Sequence, residues 1–267
     1  MWQQISSLQN PRIKATRKLR ERDYRVQTGT TIAEGVKELS RAVDAGLRAT
    51  EIFFCPRWCP KEVAEKFAAE LRVPSGGRIL VNEMVYKALA FGKRHDGILA
   101  VLEVPSRSLI GLPSRQDGLY LILEGIEKPG NLGAIFRSAD AAGVNGILLV
   151  DIPCDPWNPN AIRASLGTMF TVPFASAKLP EAGDWVKARQ LQVVAADPKS
   201  GALLWELDFR RGTAIVLGAE HSGLSNWWAG IGSQPARVPM YGHADSLNVS
   251  VAAAIFLYEA VRQRQAG

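Results

Sequence analysis

Short apolar runs alternate with segments of helical period along the first hundred residues of the chain. The pattern predicts helices near residues 34–45, 61–71 and 82–90 and strands at residues 51–54, 78–81 and 97–102. This alternation is typical of a compact α/β module that ends near residue 104. Residues 105–118 are rich in Pro, Ser and Gly, and we interpret them as a linker.

The alternation resumes after the linker with more strongly apolar runs. It predicts buried strands at residues 119–123, 146–150, 192–196, 213–217 and 237–240 and helices at residues 131–142, 181–190 and 248–264. Short apolar strands separated by helices indicate a mostly parallel sheet that is covered on both faces. The expected fold class is α/β with two domains, a first domain over residues 1–104 and a larger one over residues 119–267.

The composition indicates what kind of partner the protein binds. The 267 residues are 47% hydrophobic and carry a formal net charge of +6, with a sequence pI of about 9.3. An excess of positive charge favours a polyanionic partner such as nucleic acid. It is concentrated near the amino terminus, and the candidate phosphate contacts there are Arg12, Lys14, Arg17, Lys18 and Arg20. A solvated surface helix and a phosphate-contacting arm both fit this segment.

Cysteine content and hydropathy point to a cytoplasmic protein. The three cysteines, Cys55, Cys59 and Cys154, make neither an even disulfide set nor a motif with zinc spacing. The amino terminus lacks a charged lead followed by an apolar stretch, so no export signal is visible. No run approaches the roughly 20 apolar residues that a membrane span needs. We therefore expect a cytoplasmic protein without a metal or a membrane partner.

Three loops that follow predicted strands carry the candidate chemistry, because open α/β sheets bind ligands beyond the carboxyl ends of their strands. The first loop holds Asn131, placed where a helix N-cap belongs, and Arg137 lies six residues farther on. The second holds Glu220 after a glycine turn, beside His221. In the third, Ser246 or Asn248 caps a helix whose first turns are apolar. Each of these residues, taken alone, also fits an ordinary capping or loop role.

Taken together and in this order, the loops resemble a known family. N-x-G-x-x-x-R at residues 131–137, L-G-x-E-x-x-G-L-S at 217–225 and S-L-N-V-S-V-A at 246–252 resemble the three signature motifs of the SpoU/TrmH branch of the SPOUT methyltransferases. The resemblance implies transfer of a methyl group from S-adenosylmethionine to a ribose 2′-hydroxyl of structured RNA, which leaves S-adenosylhomocysteine. Ribosomal RNA is the expected substrate, and transfer RNA is the alternative.

The resemblance also implies an architecture and a set of site residues. It implies a trefoil knot in the second domain, a homodimer, and an accessory RNA-binding role for the first domain. The positions that match the family's functional residues are Asn131, Arg137, Glu220, Ser246 and Asn248. Those that match its cofactor-binding positions are Leu217, Gly218, Met240, Leu247 and again Asn248. Arg163 matches an arginine that approaches RNA, and whether Arg137 acts as a base or as an anchor is left open.

Two other function classes are alternatives to an RNA methyltransferase. A non-catalytic RNA-binding or ribosome-assembly protein on the same scaffold is expected to have basic surfaces but a broken cofactor pocket. A Rossmann-type methyltransferase or dehydrogenase needs a glycine-rich loop after its first strand. The first loop contains neither G-x-G-x-x-G nor a P-loop, which disfavours that second class.

Overall fold

A computed structural model describes residues 1–91 and 96–265 of the chain. The strands are β1 Gln3–Ile5, β2 Thr30–Glu34, β3 Ala49–Phe54, β4 Arg78–Val81, β5 Ile98–Glu103, β6 Leu119–Glu124, β7 Gly146–Val150, β8 Phe174–Ala177, β9 Gln192–Ala196, β10 Thr213–Leu217 and β11 Gln234–Ala236. The helices are α1 Pro11–Lys18, α2 Arg22–Thr28, α3 Val36–Asp44, α4 Lys61–Glu70, α5 Glu83–Leu89, α6 Pro129–Ala141, α7 Pro159–Ala164, α8 Thr168–Thr171, α9 Leu179–Ala188, α10 Trp227–Gly230 and α11 Val249–Gln265. They form two compact units.

The first unit combines Met1–Ser106 with Asp155–Thr171. Its sheet has the order β1-β4-β3-β5-β2, in which β1, β4 and β3 run parallel and β5 is antiparallel to both of its neighbours. Alternate residues of β3 face two apolar layers, because successive side chains of a strand point to opposite faces. Ile52 and Phe54 pack with α4 on one face, whereas Phe53 packs with residues of α1 and α5 on the other.

The segment from residue 155 to residue 171 completes the core of the first unit. Ile162 of α7 and Phe170 of α8 are buried in the layer that contains α4. Trp157 stacks on Phe170 with ring centroids 6.2 Å apart, and its carbonyl accepts a hydrogen bond from the Thr31 hydroxyl. The return of the chain to the first unit could not be predicted, because helices as short as α7 and α8 show too little hydrophobic periodicity.

The second unit consists of Arg107–Cys154 and Val172–Gly267. Its sheet has the order β11-β9-β10-β6-β7-β8, and every described pairing in it is parallel. The two-domain α/β class and the mostly parallel second sheet are thereby confirmed. The trefoil knot stays a prediction.

Two predicted features of the second unit are wrong. The last strand is Gln234–Ala236 and not residues 237–240. Its Pro235 is tolerated because β11 lies at the edge of the sheet, where every second backbone N–H points away from the ladder. The first helix begins at Pro129, with Lys128 as its N-cap, so Asn131 lies inside the first turn and is not the cap. Proline favours the first helical position since it has no N–H to leave unpaired.

The carboxyl-terminal helix α11 has two unlike faces. Ala253, Phe256 and Leu257 are fully buried against the body of the unit. Val251 and Tyr258 are 46% and 52% exposed on another face of the same helix. The helix whose first turns are apolar in the sequence is therefore covered on one face within this chain.

Candidate active site

The candidate site lies at the carboxyl ends of two neighbouring strands. β6 and β10 run parallel in register, with Leu123 opposite Leu217 at their ends. The loop after β6 leads into α6, and the loop after β10 carries Glu220. Since neighbouring parallel strands end at the same edge of a sheet, the two loops meet there.

Glu220 is the centre of a hydrogen-bonded cluster at this edge. Its Oε1 accepts a bond from Asn131 Nδ2 at 2.6 Å and another from Asn248 Nδ2 at 3.0 Å. Its Oε2 pairs with the ammonium group of Lys128. The structure therefore brings together one predicted residue from each of the three motifs and adds Lys128. We call these four residues the Glu220 cluster.

Asn248 also caps α11, as the sequence predicts. Its Oδ1 accepts the backbone N–H of Ser250 at 2.9 Å and the Ser250 hydroxyl at 2.6 Å. Because Oδ1 is engaged by these donors, the amide nitrogen points the other way, toward Glu220 and toward Asn131 Oδ1 at 3.2 Å. The cap thus orients the amide of Asn248 within the Glu220 cluster.

The electrostatics of the cluster favour an ionised carboxyl group. Hydrogen bonding by Lys128 lowers the pKa of Glu220, and the bond from Asn131 and the positive charge of Lys128 act in the same direction. Only a carboxylate offers acceptor sites to all three donors without presenting a proton to one of them. Glu220 is therefore held as an anion where α6 begins, and a helix amino terminus stabilises negative charge.

The loop that carries Glu220 is shaped by a glycine and a second carboxylate. A Cβ placed on Gly218 would lie 2.3 Å from the backbone carbonyl of Gly223, so the loop folds too closely on itself for any larger residue. Glu124, the last residue of β6, accepts the indole N–H of Trp228 at 2.7 Å and the backbone N–H of Ser225 at 3.3 Å. These contacts tie the far end of the loop to the neighbouring strand.

The predicted cofactor-binding positions fit an adenine held by backbone groups. Leu217 ends β10 and Gly218 follows it, and Met240 and Leu247 are half-buried in the irregular segment 238–247. Within the described part of the chain, this segment's backbone makes no hydrogen bond. Its free N–H and C=O groups are the donors and acceptors that a purine edge requires. These groups are compatible with S-adenosylmethionine, and the cofactor-binding roles of the individual positions stay predictions.

Two predicted catalytic residues lie outside the Glu220 cluster. Arg137 is exposed on α6, six residues or about 9 Å along the axis from Asn131. Ser246 is exposed just before α11. Among the described residues, neither side chain has a hydrogen-bond partner or an ion-pair partner. Their catalytic roles stay predictions.

Some of the predicted RNA-contacting cations are hydrogen-bonded to other groups of the protein, and others are exposed to solvent. Arg12 donates to Glu51 at 2.6 Å and to Gln3 at 2.9 Å. Arg20 donates to the three carbonyl groups that end α5, those of Ala88, Leu89 and Ala90.

Arg163 is half-buried in the last turn of α7. The remaining predicted contacts, Lys14, Arg17 and Lys18, are exposed on α1. They are the cations best placed to reach a phosphate.

Other chemistry finds little support in the described residues. They contain no group of three or more His, Cys, Asp or Glu side chains arranged to hold a metal ion. The three cysteines are free and buried, and burial raises the pKa of the Cys59 thiol to about 11. No helix among the described residues has the length and apolar character needed to cross a membrane.

Lys128 is the site residue that the sequence motifs missed. A lysine at a helix N-cap places a positive charge at the positive end of the helix dipole, which is unfavourable, and the Lys128 side chain makes no capping bond. Such a local conflict is a signal that a residue is retained for another purpose. Here the Glu220 carboxylate compensates the misplaced charge.

Comparisons with known proteins show which family the chain resembles. The model described as the SpoU rRNA Methylase family matches residues 118–258, and the model of an MRM3-like substrate binding domain matches residues 10–100. The 23S rRNA (uridine(2479)-2′-O)-methyltransferase of Streptomyces viridochromogenes is 32% identical over 262 residues, which cover 93% of this chain and 88% of that protein.

Solved structures resemble the chain along nearly its whole length. A crystal structure of an RNA 2′-O ribose methyltransferase matches with a TM-score of 0.86 at 38% identity and covers 98% of this chain and 100% of its own. An S-adenosylmethionine-bound rRNA methyltransferase from Sinorhizobium meliloti matches with a TM-score of 0.86 at 32% identity over 97% of each chain.

Proposed function

The chain belongs to the SpoU rRNA methylase family and is an S-adenosylmethionine-dependent RNA ribose 2′-O-methyltransferase, and we propose that ribosomal RNA is its substrate. Residues 119–267 carry out the methyl transfer in this proposal, and residues 1–104 help to bind the RNA. The observation that carries the site assignment is the Glu220 cluster, in which one residue of each motif converges at one sheet edge. A cytoplasmic location is part of the proposal.

The proposed reaction is an in-line displacement at a methyl group. When bound, S-adenosylmethionine would supply that methyl on a sulfonium, the proton of the ribose hydroxyl would pass to solvent, and S-adenosylhomocysteine would be left. The protein must align the ribose oxygen with the methyl group and hold that alignment. We assign Arg137 to anchoring a phosphate and orienting the ribose, because a guanidinium with a pKa above about 12 is a poor base but a strong fork donor. The Glu220 cluster fixes the loops that frame the site.

The experiment that tests the function uses S-adenosylmethionine with a labelled methyl group. Ribosomal RNA, ribosomal subunits and transfer RNA are incubated separately with the protein and digested to nucleosides. Label in a 2′-O-methylnucleoside from ribosomal RNA or a subunit is expected. Label from transfer RNA alone would overturn the substrate, and label on a base would overturn the ribose assignment. Absence of label from every RNA would favour a non-catalytic RNA-binding protein.

The exposed cations of α1 are proposed to contact RNA phosphates. Lys14→Gln combined with Arg17→Gln should weaken RNA binding, because each lost phosphate contact removes counterion release. The slope of log affinity against log salt should become shallower by about 0.7–0.9 per contact, or about 1.5 for both. Filter binding at several salt concentrations measures this slope.

A pair of lysines on α4 provides the matched control. Lys61→Gln with Lys66→Gln removes the same charge from the opposite face of the first unit's sheet, where α4 packs. This control should leave the salt slope nearly unchanged. Equal slopes for the two double variants would indicate that α1 is a solvated surface helix that does not contact RNA.

A homodimer that uses the exposed face of α11 is part of the proposal. Val251, Ile255 and Tyr258 follow each other at spacings of four and three residues, which aligns them in one apolar stripe. Val251 and Tyr258 are about half exposed within a single chain. A second copy of the chain would bury this stripe.

Val251→Asp tests the dimer by placing a charge in the stripe. Sedimentation should reveal a dimer for the unaltered protein and a monomer for the variant, because a buried unpaired carboxylate is costly. Val26→Asp is the control, since Val26 is 72% exposed on α2 of the first unit. A Val251→Asp protein that still sediments as a dimer would exclude this face as the interface.

A further inference from the structure

Lys128 lies at the start of α6, outside the three sequence motifs, with its side chain 62% exposed. Its partner Glu220 is more enclosed, with 23% of its side chain exposed. Exposed lysine–carboxylate pairs contribute little to the stability of a fold. The helix dipole disfavours a cation at this position, so the ion pair is not explained by the needs of α6 itself.

We propose that Lys128 is a positioning residue for methyl transfer, holding Glu220 so that its carboxylate aligns the amides of Asn131 and Asn248. The two carboxylate oxygens of Glu220 have different partners. Oε1 accepts both amides, whereas Oε2 pairs with Lys128. Without the ammonium group, the carboxylate is free to rotate about its last bond, and the two amides lose a fixed acceptor.

The other charged groups around Glu220 determine how strongly the ionisation of its carboxyl group depends on Lys128. Lys128 faces it from α6, and His221 adjoins it in its own loop. Glu127 is the other carboxyl group of the small cleft that these residues line, and the first turn of α11 brings no acidic side chain. Lys128 is therefore the permanent positive charge of the cleft, and its ammonium group holds the pKa of Glu220 down.

The sign of the expected pH effect follows from that charge. Glu220 must be ionised to accept all of its donors, and its lowered pKa keeps it ionised as the pH falls. Removing Lys128 raises the pKa of Glu220 toward that of an ordinary glutamate. Activity that depends on the carboxylate should then be lost at a higher pH than in the unaltered enzyme.

The test compares Lys128→Met, Lys128→Arg and Lys178→Met. Lys178 forms an exposed ion pair with Asp151 at 2.9 Å in the same unit, so its variant removes a comparable lysine pair outside the cluster. We expect Lys128→Met to lower kcat at least tenfold, with KM for RNA and for S-adenosylmethionine within about twofold, and to move the acid limb of kcat to higher pH. Lys128→Arg should restore most of kcat, and Lys178→Met should have no effect.

The outcomes separate this inference from the methyltransferase function on which it rests. If the unaltered protein labels no RNA, the proposed substrate fails before Lys128 is tested. If it labels RNA and Lys128→Met keeps kcat, the positioning role is refuted. A loss confined to KM for RNA would also refute it, because Lys128 would then be a phosphate contact. Failure of the arginine variant to restore kcat, or an unmoved acid limb, would equally overturn the proposal.

Discussion

Arg137→Ala is expected to lower kcat by about 100- to 1,000-fold, the loss typical of removing one preorganised hydrogen-bond donor from a reaction centre. Arg137 is exposed and, among the described residues, makes no hydrogen bond or ion pair. Its removal should therefore leave the fold and the affinity for S-adenosylmethionine nearly unchanged. Single-turnover kinetics with saturating RNA measure the first quantity, and calorimetry measures the second.

The control and the conservative variant make the result specific. Arg115→Ala removes another exposed arginine of the same unit, one that pairs with Asp117 at 3.7 Å, and should keep kcat within about twofold. Arg137→Lys keeps the charge but loses the planar fork, so an anchoring role predicts partial activity with an unchanged pH profile. A lysine variant whose rate rises with pH as its amine deprotonates would instead indicate a base. Near-normal turnover of Arg137→Ala would show that Arg137 has no role in methyl transfer.

The central strands of the second sheet could be predicted from the sequence because they are buried on both faces and read as continuous apolar runs. The strands at residues 146–150, 192–196 and 213–217 begin and end where the pattern places them. The edge strands could not be predicted in this way. β8 contains an exposed serine at position 176, and β11 contains Pro235, so neither has a continuous apolar run.

The candidate site shows the same division between local pattern and tertiary placement. Asn131, Glu220 and Asn248 stand in recognisable motifs, and the parallel sheet brings their loops to one edge. Lys128 has no motif of its own, and its pairing with Glu220 spans 92 positions of the chain. The sequence pattern places the helix start at Asn131, so it reveals neither the unfavourable charge of Lys128 at the true N-cap nor the carboxylate that compensates it.

Counting the charges of the basic amino-terminal segment also does not show which of its cations are exposed. Arg25 contributes to the positive charge of this segment, yet its side chain is 3% exposed. Its guanidinium donates to Asp155 at 2.8 Å and 2.5 Å and to the carbonyls of Leu19 and Arg20 at 2.8 Å and 2.9 Å. This cation adds to the net charge of the segment but is buried in an ion pair that holds Asp155 against α2.

Arg25→Met should consequently destabilise the first unit by about 3–5 kcal/mol, the usual cost of leaving one member of a buried ion pair unpaired. The Asp155 carboxylate is 10% exposed and would lose its guanidinium partner. Urea unfolding followed by hydrogen exchange measures the loss, and amides of residues 155–171 should lose protection first, since this segment is anchored at Asp155.

Two comparison variants separate the buried pair from ordinary surface charge. Arg12→Met removes the half-buried pair with Glu51, whose side chains are 29% and 21% exposed, and should cost about 1 kcal/mol or less. Arg25→Met combined with Asp155→Leu replaces both charges with apolar groups and should recover much of the stability, because no unpaired charge remains. If Arg25→Met proved no more destabilising than Arg12→Met, the 155–171 segment would be held by its apolar contacts, Ile162 and Phe170, and not by the ion pair.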